Sequence, residues 1–249
     1  MKVSIITCTY NSSKTIADTI TSVNEQTYNN IEHIIIDGAS KDDTIKIINN
    51  LPNRIKKIIS EDDNGIYDAM NKGISIASGK IIGILNSNDV YAERGILEKV
   101  VRTFESQKCD ALYGDLDYVT QNDINFVIRR WKGSLYKMGL FAKGWHPPHP
   151  TFFVKREIYK KYGLFDISLD VSADFELMLR FIERNNISIF YLNEILVKMR
   201  YGGESTGSLK NIIKGNINVI KAFRKNRIAI SPLYFVFRFS SKLKQFINR

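Results

Sequence analysis

Cysteine is scarce. Cys8 and Cys109 lie far apart with no CxxC spacing, which excludes a disulfide framework or structural zinc and suits a reducing compartment. Of three histidines, His146 and His149 flank prolines and form no helical ligand pair. No apolar run reaches the about 18 residues of a membrane-spanning helix. Met1-Lys2 leads straight into Val3-Ser4-Ile5-Ile6-Thr7, too polar for a secretory signal. Neither GxGxxG nor GxxxxGK[ST] occurs, which argues against a dinucleotide oxidoreductase or a P-loop enzyme. There is no repeat and no low-complexity tract. What remains, 249 residues with 44% apolar and 25% charged, is the composition of one sizeable globular domain.

Acidic residues are missing after Glu204, while ten lysines and arginines follow it, so the whole net charge of +10 lies in the tail. On a helical wheel Val236, Phe239, Leu243, Phe246 and Ile247 share one face, with Arg238, Lys242 and Arg249 opposite. Three readings compete: a helix on an anionic membrane surface, a helix packing its apolar face on the domain, and a nucleic-acid contact. Membrane contact is the preferred reading. Nucleic acid ranks last, because no nucleic-acid motif is present.

Apolar spacing predicts strands at Val3–Thr9, 32–37, Ile55–Ser60, 81–85 and 111–113. Helices are predicted with Ile16, Ile20 and Val23 inward behind a Ser12-Ser13 cap, and over 42–50, 65–78 and 93–106. This alternation predicts an α/β fold, a mostly parallel central sheet with helices on both faces. The rhythm is irregular over 115–170, then returns as a helix over 173–184 and strands near 187–191 and 195–199. The expected division is a domain over 1–207 and a basic amphipathic helical tail over 208–249.

Ligands of open α/β sheets bind beyond the carboxyl ends of the strands. Three stretches there carry a resemblance: Ser4-Ile5-Ile6-Thr7-Cys8-Thr9-Tyr10-Asn11, Ile34-Ile35-Ile36-Asp37-Gly38-Ala39-Ser40-Lys41-Asp42-Asp43-Thr44, and Ser60-Glu61-Asp62-Asp63-Asn64-Gly65-Ile66-Tyr67-Asp68-Ala69-Met70-Asn71-Lys72-Gly73. Leu85-Asn86-Ser87-Asn88-Asp89, His149-Pro150-Thr151-Phe152-Phe153 and Ala173-Asp174-Phe175-Glu176 extend it. In this order they resemble the family 2 glycosyltransferases, which have the GT-A fold, and most of all the bacterial members that build O-antigen, capsule and exopolysaccharide.

The resemblance implies transfer of a sugar from a nucleotide donor to a hydroxyl, with inversion. It places Thr7, Thr9 and Tyr10 around the nucleoside and gives Asp37 the uracil imide, favouring UDP; a strand-end cap is the other reading of Asp37. It places Asp89 on a divalent cation, Mg²⁺ or Mn²⁺, beneath the diphosphate; an N-cap is the alternative. Asn88 stands where many relatives have a second aspartate, and suits a ribose hydroxyl or a phosphate. Asp174 is the implied base, with a helix-dipole acid or an ion-pair partner as alternatives. Asp68 and Lys72 are placed beside the donor, or are an i,i+4 surface pair. It places His149 and Phe152 on the acceptor side; Trp145 nearby reads either as a stacking face for an acceptor sugar or as core, and Glu176 either as an acceptor contact or as a surface residue. Gly202-Gly203-Glu204-Ser205 falls where relatives close a loop over the diphosphate. The implied acceptor is a saccharide linked to undecaprenyl diphosphate, and the implied location is cytoplasmic, peripheral on the inner face of the plasma membrane. A non-catalytic nucleotide-sugar-binding protein on the same fold is the alternative.

Overall fold

The structure, a computed structural model, describes residues 1–202 and 209–247, without the side chains of 209–211 and 241–247. Gly203, Glu204 and Ser205, Arg249, and the side chains of Lys242, Leu243, Phe246 and Ile247 therefore lie outside the described residues.

Two runs of mostly β-branched residues, β1 (Val3–Thr9) and β2 (Ile31–Asp37), are buried at every position, as strands covered on both faces must be. They pair in parallel, with Thr9 opposite Asp37. β3 (Ile55–Ser60) pairs parallel with β2, and β4 (Ile81–Ile84) parallel with β1 on its other side. Three amphipathic helices cover them: α1 (Ile16–Asn24), α2 (Thr44–Asn50) and α3 (Ile66–Ile76). α1 buries Ile16, Thr19, Ile20 and Val23 at helical spacing. α3 sits close enough on β1 that a Cβ on Gly73 would lie 2.4 Å from Ile6 Cγ2. Each fully buried isoleucine in this layer contributes about 1.5–3 kcal/mol.

Beyond β4 the sheet becomes mixed. Next in chain order come β5 (Asp89–Tyr91), α4 (Ile96–Gln107), β6 (Ala111–Val119), β7 (Val127–Trp131), β8 (Phe153–Lys155), α5 (Arg156–Tyr162), α6 (Ala173–Met178) and β9 (Ile189–Arg200). The order across the sheet is β3-β2-β1-β4-β8-β6-β9-β5, with β7 on β6. Four strand pairings are parallel and four antiparallel. The α/β class stands, with its parallel character concentrated in the first half. The helix expected over 173–184 is α6 continued by a π-helical stretch, Leu179–Arg184. The two strands expected between 187 and 199 are one, β9. The break between them is a register shift opposite Gly114, where Tyr113 pairs Tyr191 but Asp115 pairs Ile195.

The division at 207 is not a physical boundary. α7 (Leu209–Asn226) buries Val219, Ala222 and Phe223 in the core that α3 and α6 share. Lys214 pairs with Asp170 and Lys225 with Asp166. α8 (Tyr234–Ile247) reverses the packing orientation. Tyr234 is fully buried and Arg238, one turn on, lies over Tyr234 and Phe175. Leu233, Phe235, Val236, Phe237 and Phe239 are exposed by 39–66%. An apolar face packed on the domain with a solvated arginine was the second reading of this helix; among the described residues the reverse holds.

Glu32 ties β2 to its neighbours, accepting from Ser4 Oγ (2.6 Å), from the Ser78 amide (2.8 Å) and hydroxyl (2.9 Å), and from Lys2 Nζ (3.2 Å). Burial alone would push this carboxyl up, but these bonds outweigh it and hold its pKa at about 2. Its folded pKa lies below its unfolded one, so its stabilisation is present above pH about 4.5 and lost as pH falls toward about 2. Glu32→Gln is expected to lower the unfolding free energy at pH 7 by about 1–3 kcal/mol and to flatten the acid limb, as measured by urea unfolding across pH.

Candidate active site

Parallel pairing brings the loops after β1, β2, β3 and β4 to one edge. Asn11 and Ala39 take left-handed backbone (φ 47° and 58°) and turn the first two loops toward each other. The Asn11 amide donates to Ser40 Oγ and the Lys41 amide to Asn11 Oδ1, both at 2.8 Å. The Ser12 amide donates to Thr44 Oγ1, and the Ser12 and Ser87 hydroxyls share a 2.8 Å bond. Asp42 accepts from the Thr44 hydroxyl and amide and from the Ser13 amide, bonds that bring its pKa down to about 2. α1 is thus capped through backbone carbonyls and loop bonds, not by the expected serine side chains.

Several residues expected around the nucleoside are spent inside the fold. Thr7 is fully buried and its hydroxyl is bonded to His33 Nε2 (3.0 Å), so it lies within the sheet. Asp37 is fully buried with both oxygens occupied, Oδ1 by the Ser40 hydroxyl, and Oδ2 by the Ser40 amide (3.0 Å) and Ser60 hydroxyl (2.6 Å). These bonds agree with a strand-end cap, the other reading of that residue. Thr9 is 5% exposed and its hydroxyl has no partner among the described residues. Tyr10 does reach solvent, 61% exposed at the end of β1. Asp68 and Lys72 brace a loop: Asp68 accepts from the Asn64 amide (3.0 Å), and Lys72 holds Glu61 and the Asp62 carbonyl (both 2.9 Å).

Asp89 opens β5 opposite Met199, fully buried, and neither carboxylate oxygen has a hydrogen-bond partner among the described residues. Burial raises its pKa to about 8 against the pull of Arg200. Arg200 is itself occupied by Asp18 and by the carbonyls of Asn88 and Gln121. Asn86 Oδ1 is likewise buried and unpartnered, while Asn88 is half-buried. A desolvated carboxylate without donors stays protonated or takes a cation. Oxygen donors of this kind fit a hard divalent ion, although no group of three or more His, Cys, Asp or Glu side chains is arranged to hold one among the described residues.

Asp174 begins α6, half-buried, and its Oδ1 accepts from the Tyr67 hydroxyl (3.0 Å) and the Phe175 amide (2.8 Å). Tyr67 stacks on Phe165 at 5.5 Å, and His149 meets the same ring edge-on at 5.5 Å. Burial, then the Asp174 charge, push the Tyr67 phenol well above its usual range, so it stays a donor. Burial lowers the pKa of His149 against the opposing charge of Asp174. Glu176 does not face an acceptor or the surface: it is fully buried, paired with Arg180 and bonded by Asn226. Trp145 is half-buried among Tyr113, Tyr136 and Phe141, with its indole N–H on Ser134.

Tyr118, on β6, lies within electrostatic range of both acids. Its phenol is raised first by burial, is pulled down by Arg129, whose guanidinium lies 3.9 Å from the ring centroid, and feels the charges of both Asp89 and Asp174. Surface hollows of about 320 and 310 Å³ open beside β5, and neither is lined by Asp89, Asp174 or Tyr118.

The family model "Glycosyl transferase family 2" matches residues 4–163, which carry every strand-end loop described above. The chain belongs to that family. It is 30% identical over 209 residues to a "PGL/p-HBAD biosynthesis glycosyltransferase" of Mycobacterium bovis, covering 81% of this chain and 78% of that protein. It is 27% identical over 223 residues to an uncharacterized glycosyltransferase of Haemophilus influenzae, covering 84% and 68%. The fold matches S. aureus TarS 1–349 in complex with UDP-GlcNAc at a TM-score of 0.66 and 17% identity, over 100% of this chain and 72% of that one. It spans 43% of a longer TarS structure. A mannosyltransferase of Pyrobaculum calidifontis in complex with GDP-Man and Mn²⁺ matches at 0.65 and 18% identity, over 96% and 68%. This family 2 chain is therefore a GT-A-type glycosyltransferase, and its chemistry is glycosyl transfer.

Tyr67 and Tyr118 carried no role in the sequence reading. Tyr67 stands inside a matching motif, and its spacing to Asp174 along the chain holds no hint of contact. Asp89 gives the first test of the edge. With UDP present, Mn²⁺ or Mg²⁺ is expected to raise the thermal unfolding midpoint of the wild type, by an amount that follows about 2.7 kcal/mol at a hundredfold excess over Kd. Asp89→Asn should show no metal-dependent rise.

Proposed function

We propose that this glycosyltransferase moves a hexose or N-acetylhexosamine from a UDP-sugar, with inversion, to a hydroxyl of a lipid-linked saccharide in surface-polysaccharide assembly of the O-antigen type. The observation that carries the reading is the state of Asp174. Its hydrogen bonds among the described residues fall on Oδ1, which leaves Oδ2 for a substrate proton. In the proposed step Asp174 takes the acceptor hydroxyl proton as that oxygen attacks the anomeric carbon. The bond to the diphosphate breaks on the opposite face, and UDP leaves with the electron pair. Tyr67 and the Phe175 amide orient the carboxylate, and His149 stands beside it as a neutral neighbour.

Asp89, with Asn86 and Asn88 nearby in sequence, would hold Mg²⁺ or Mn²⁺. Bound there, the ion would neutralise charge on the departing diphosphate. Tyr10 offers its exposed ring to the base, and Asn88 its amide to ribose or phosphate. The names of solved relatives bound to UDP-GlcNAc or to GDP-Man with Mn²⁺ support a nucleotide-sugar donor and a divalent ion.

The acceptor reading, an undecaprenyl-diphosphate-linked saccharide at the cytoplasmic membrane face, draws on α8. No helix among the described residues is long and apolar enough to cross a membrane. Exposed Leu233, Val236 and Phe239 beside a purely cationic tail suit the surface of an anionic bilayer.

Asp174→Asn is expected to lower turnover by ~10²–10⁴-fold while UDP affinity, read by calorimetry, stays unchanged. Equal transfer by both proteins would remove Asp174 as the base, and no transfer by the wild type would favour a non-catalytic binding protein. Val236→Asp with Phe239→Asp should abolish co-sedimentation with vesicles of anionic lipid and leave UDP binding intact; retained co-sedimentation would remove this face of α8 as the contact, and none with the wild type would remove the membrane reading.

A further inference from the structure

We propose that Asp63 reads the edge of the donor base, accepting a hydrogen bond from a ring N–H and so restricting the donor to uracil, thymine or guanine against cytosine and adenine. This inference rests on the nucleotide-donor reading above and names the residue that selects the base.

Asp37 is fully buried, and the Ser40 hydroxyl and amide and the Ser60 hydroxyl already bond its two oxygens. The next residue, Gly38, has no side chain, and a second carboxylate fills the space above it. A Cβ built on Gly38 would lie 2.6 Å from Asp63 Oδ2, 3.3 Å from Asp63 Cγ and 3.5 Å from Tyr10 Cδ2. The Asp63 carboxylate and the Tyr10 ring therefore border the same small volume at the carboxyl edge of β1 and β2. Tyr10 is 61% exposed and presents a face on which a base can stack. A carboxylate beside such a face meets the edge of the stacked base.

The loop that carries Asp63 is held in place before any ligand arrives. Asp63 Oδ1 accepts the Gly65 amide (2.8 Å), and Gly65 turns into α3 with a φ of 100° open to few residues but glycine. Asp68 holds the Asn64 amide, and Lys72 holds the Asp62 carbonyl. Lys72, the cation of this loop, pairs with Glu61 and Asp68, so Asp63 Oδ2 remains directed over Gly38. Preorganisation of this kind lowers the ordering cost of binding.

A carboxylate only accepts. Uracil, thymine and guanine present a ring N–H on the pairing edge, whereas cytosine and adenine present a ring lone pair there, which the carboxylate repels. An asparagine amide can donate to that lone pair, so Asp63→Asn inverts the preference.

Calorimetry of the full chain with UDP, GDP, CDP and ADP tests this. The wild type is expected to bind UDP or GDP at least about tenfold tighter than CDP and ADP, with the UDP and GDP arms separating pyrimidine from purine. Asp63→Asn should weaken the preferred nucleotide by about tenfold or more and narrow or reverse the UDP-to-CDP ratio. Gly38→Ala should do the same with Asp63 intact, because its methyl displaces the carboxylate; Gly38 is not in the left-handed region, so the backbone accepts alanine. A wild type that discriminates while both variants keep its ratio overturns the Asp63 inference and leaves the donor reading standing. A wild type that binds UDP and CDP alike also overturns it. Binding of none of the four removes the donor reading itself.

Discussion

Parallel pairing of β1 with both β2 and β4 leaves four loops at one edge of the sheet, each with backbone groups that no strand partner satisfies. Short hydroxyl and carboxylate side chains meet that demand. Ser12 bridges to Ser87, Asn11 to Ser40, Asp42 to Thr44 and Ser13, and Asp37 to Ser40 and Ser60. Many polar residues at the strand ends thus hold the loops together, and the ligand-facing roles proposed above fall to Tyr10, Asp63, Asn88, Asp89 and Asp174.

These residues are distributed over both halves of the sheet. The parallel half supplies the loops with Tyr10 and Asp63. The mixed half supplies β5 with Asp89, β6 with Tyr118, and α6 with Asp174. Tyr118 feels both acids, which ties the two halves into one electrostatic neighbourhood. Tyr67, from α3 in the first half, reaches across to Asp174. The tail joins the same assembly, because Phe223 and Tyr234 pack toward Phe175 while Asn226 holds Glu176.

Much of this was legible along the chain. β1, β2, β3, α1 and α3 emerged from apolar spacing with boundaries within a residue or two; β1 and β2, buried on both faces, are near-continuous apolar runs. The family and its class of chemistry were legible from motif order. The elements missed were β5, β7, β8 and α5, three to seven residues each, too short for periodicity to register. Asp37 and Thr7 were assigned outward roles because residue type and position at a strand end do not say which way hydrogen-bonding capacity is spent. Glu176 was misplaced for the related reason that Arg180 and Asn226, its partners, neutralise a charge that alone would stay in water.

The amino-acid order by itself determined the alternation of elements, the cationic character of the tail and membership of the glycosyltransferase family, all of which follow from local periodicity, composition and motif order. Only the tertiary structure decided which carboxylates bond loop groups and which are buried without partners. It also decided that α8 turns Tyr234 and Arg238 inward and its aromatics outward. Those outcomes depend on contacts between residues far apart in the chain, where a missing Cβ at Gly38 or a hydroxyl at Ser60 settles the role of an aspartate dozens of positions away.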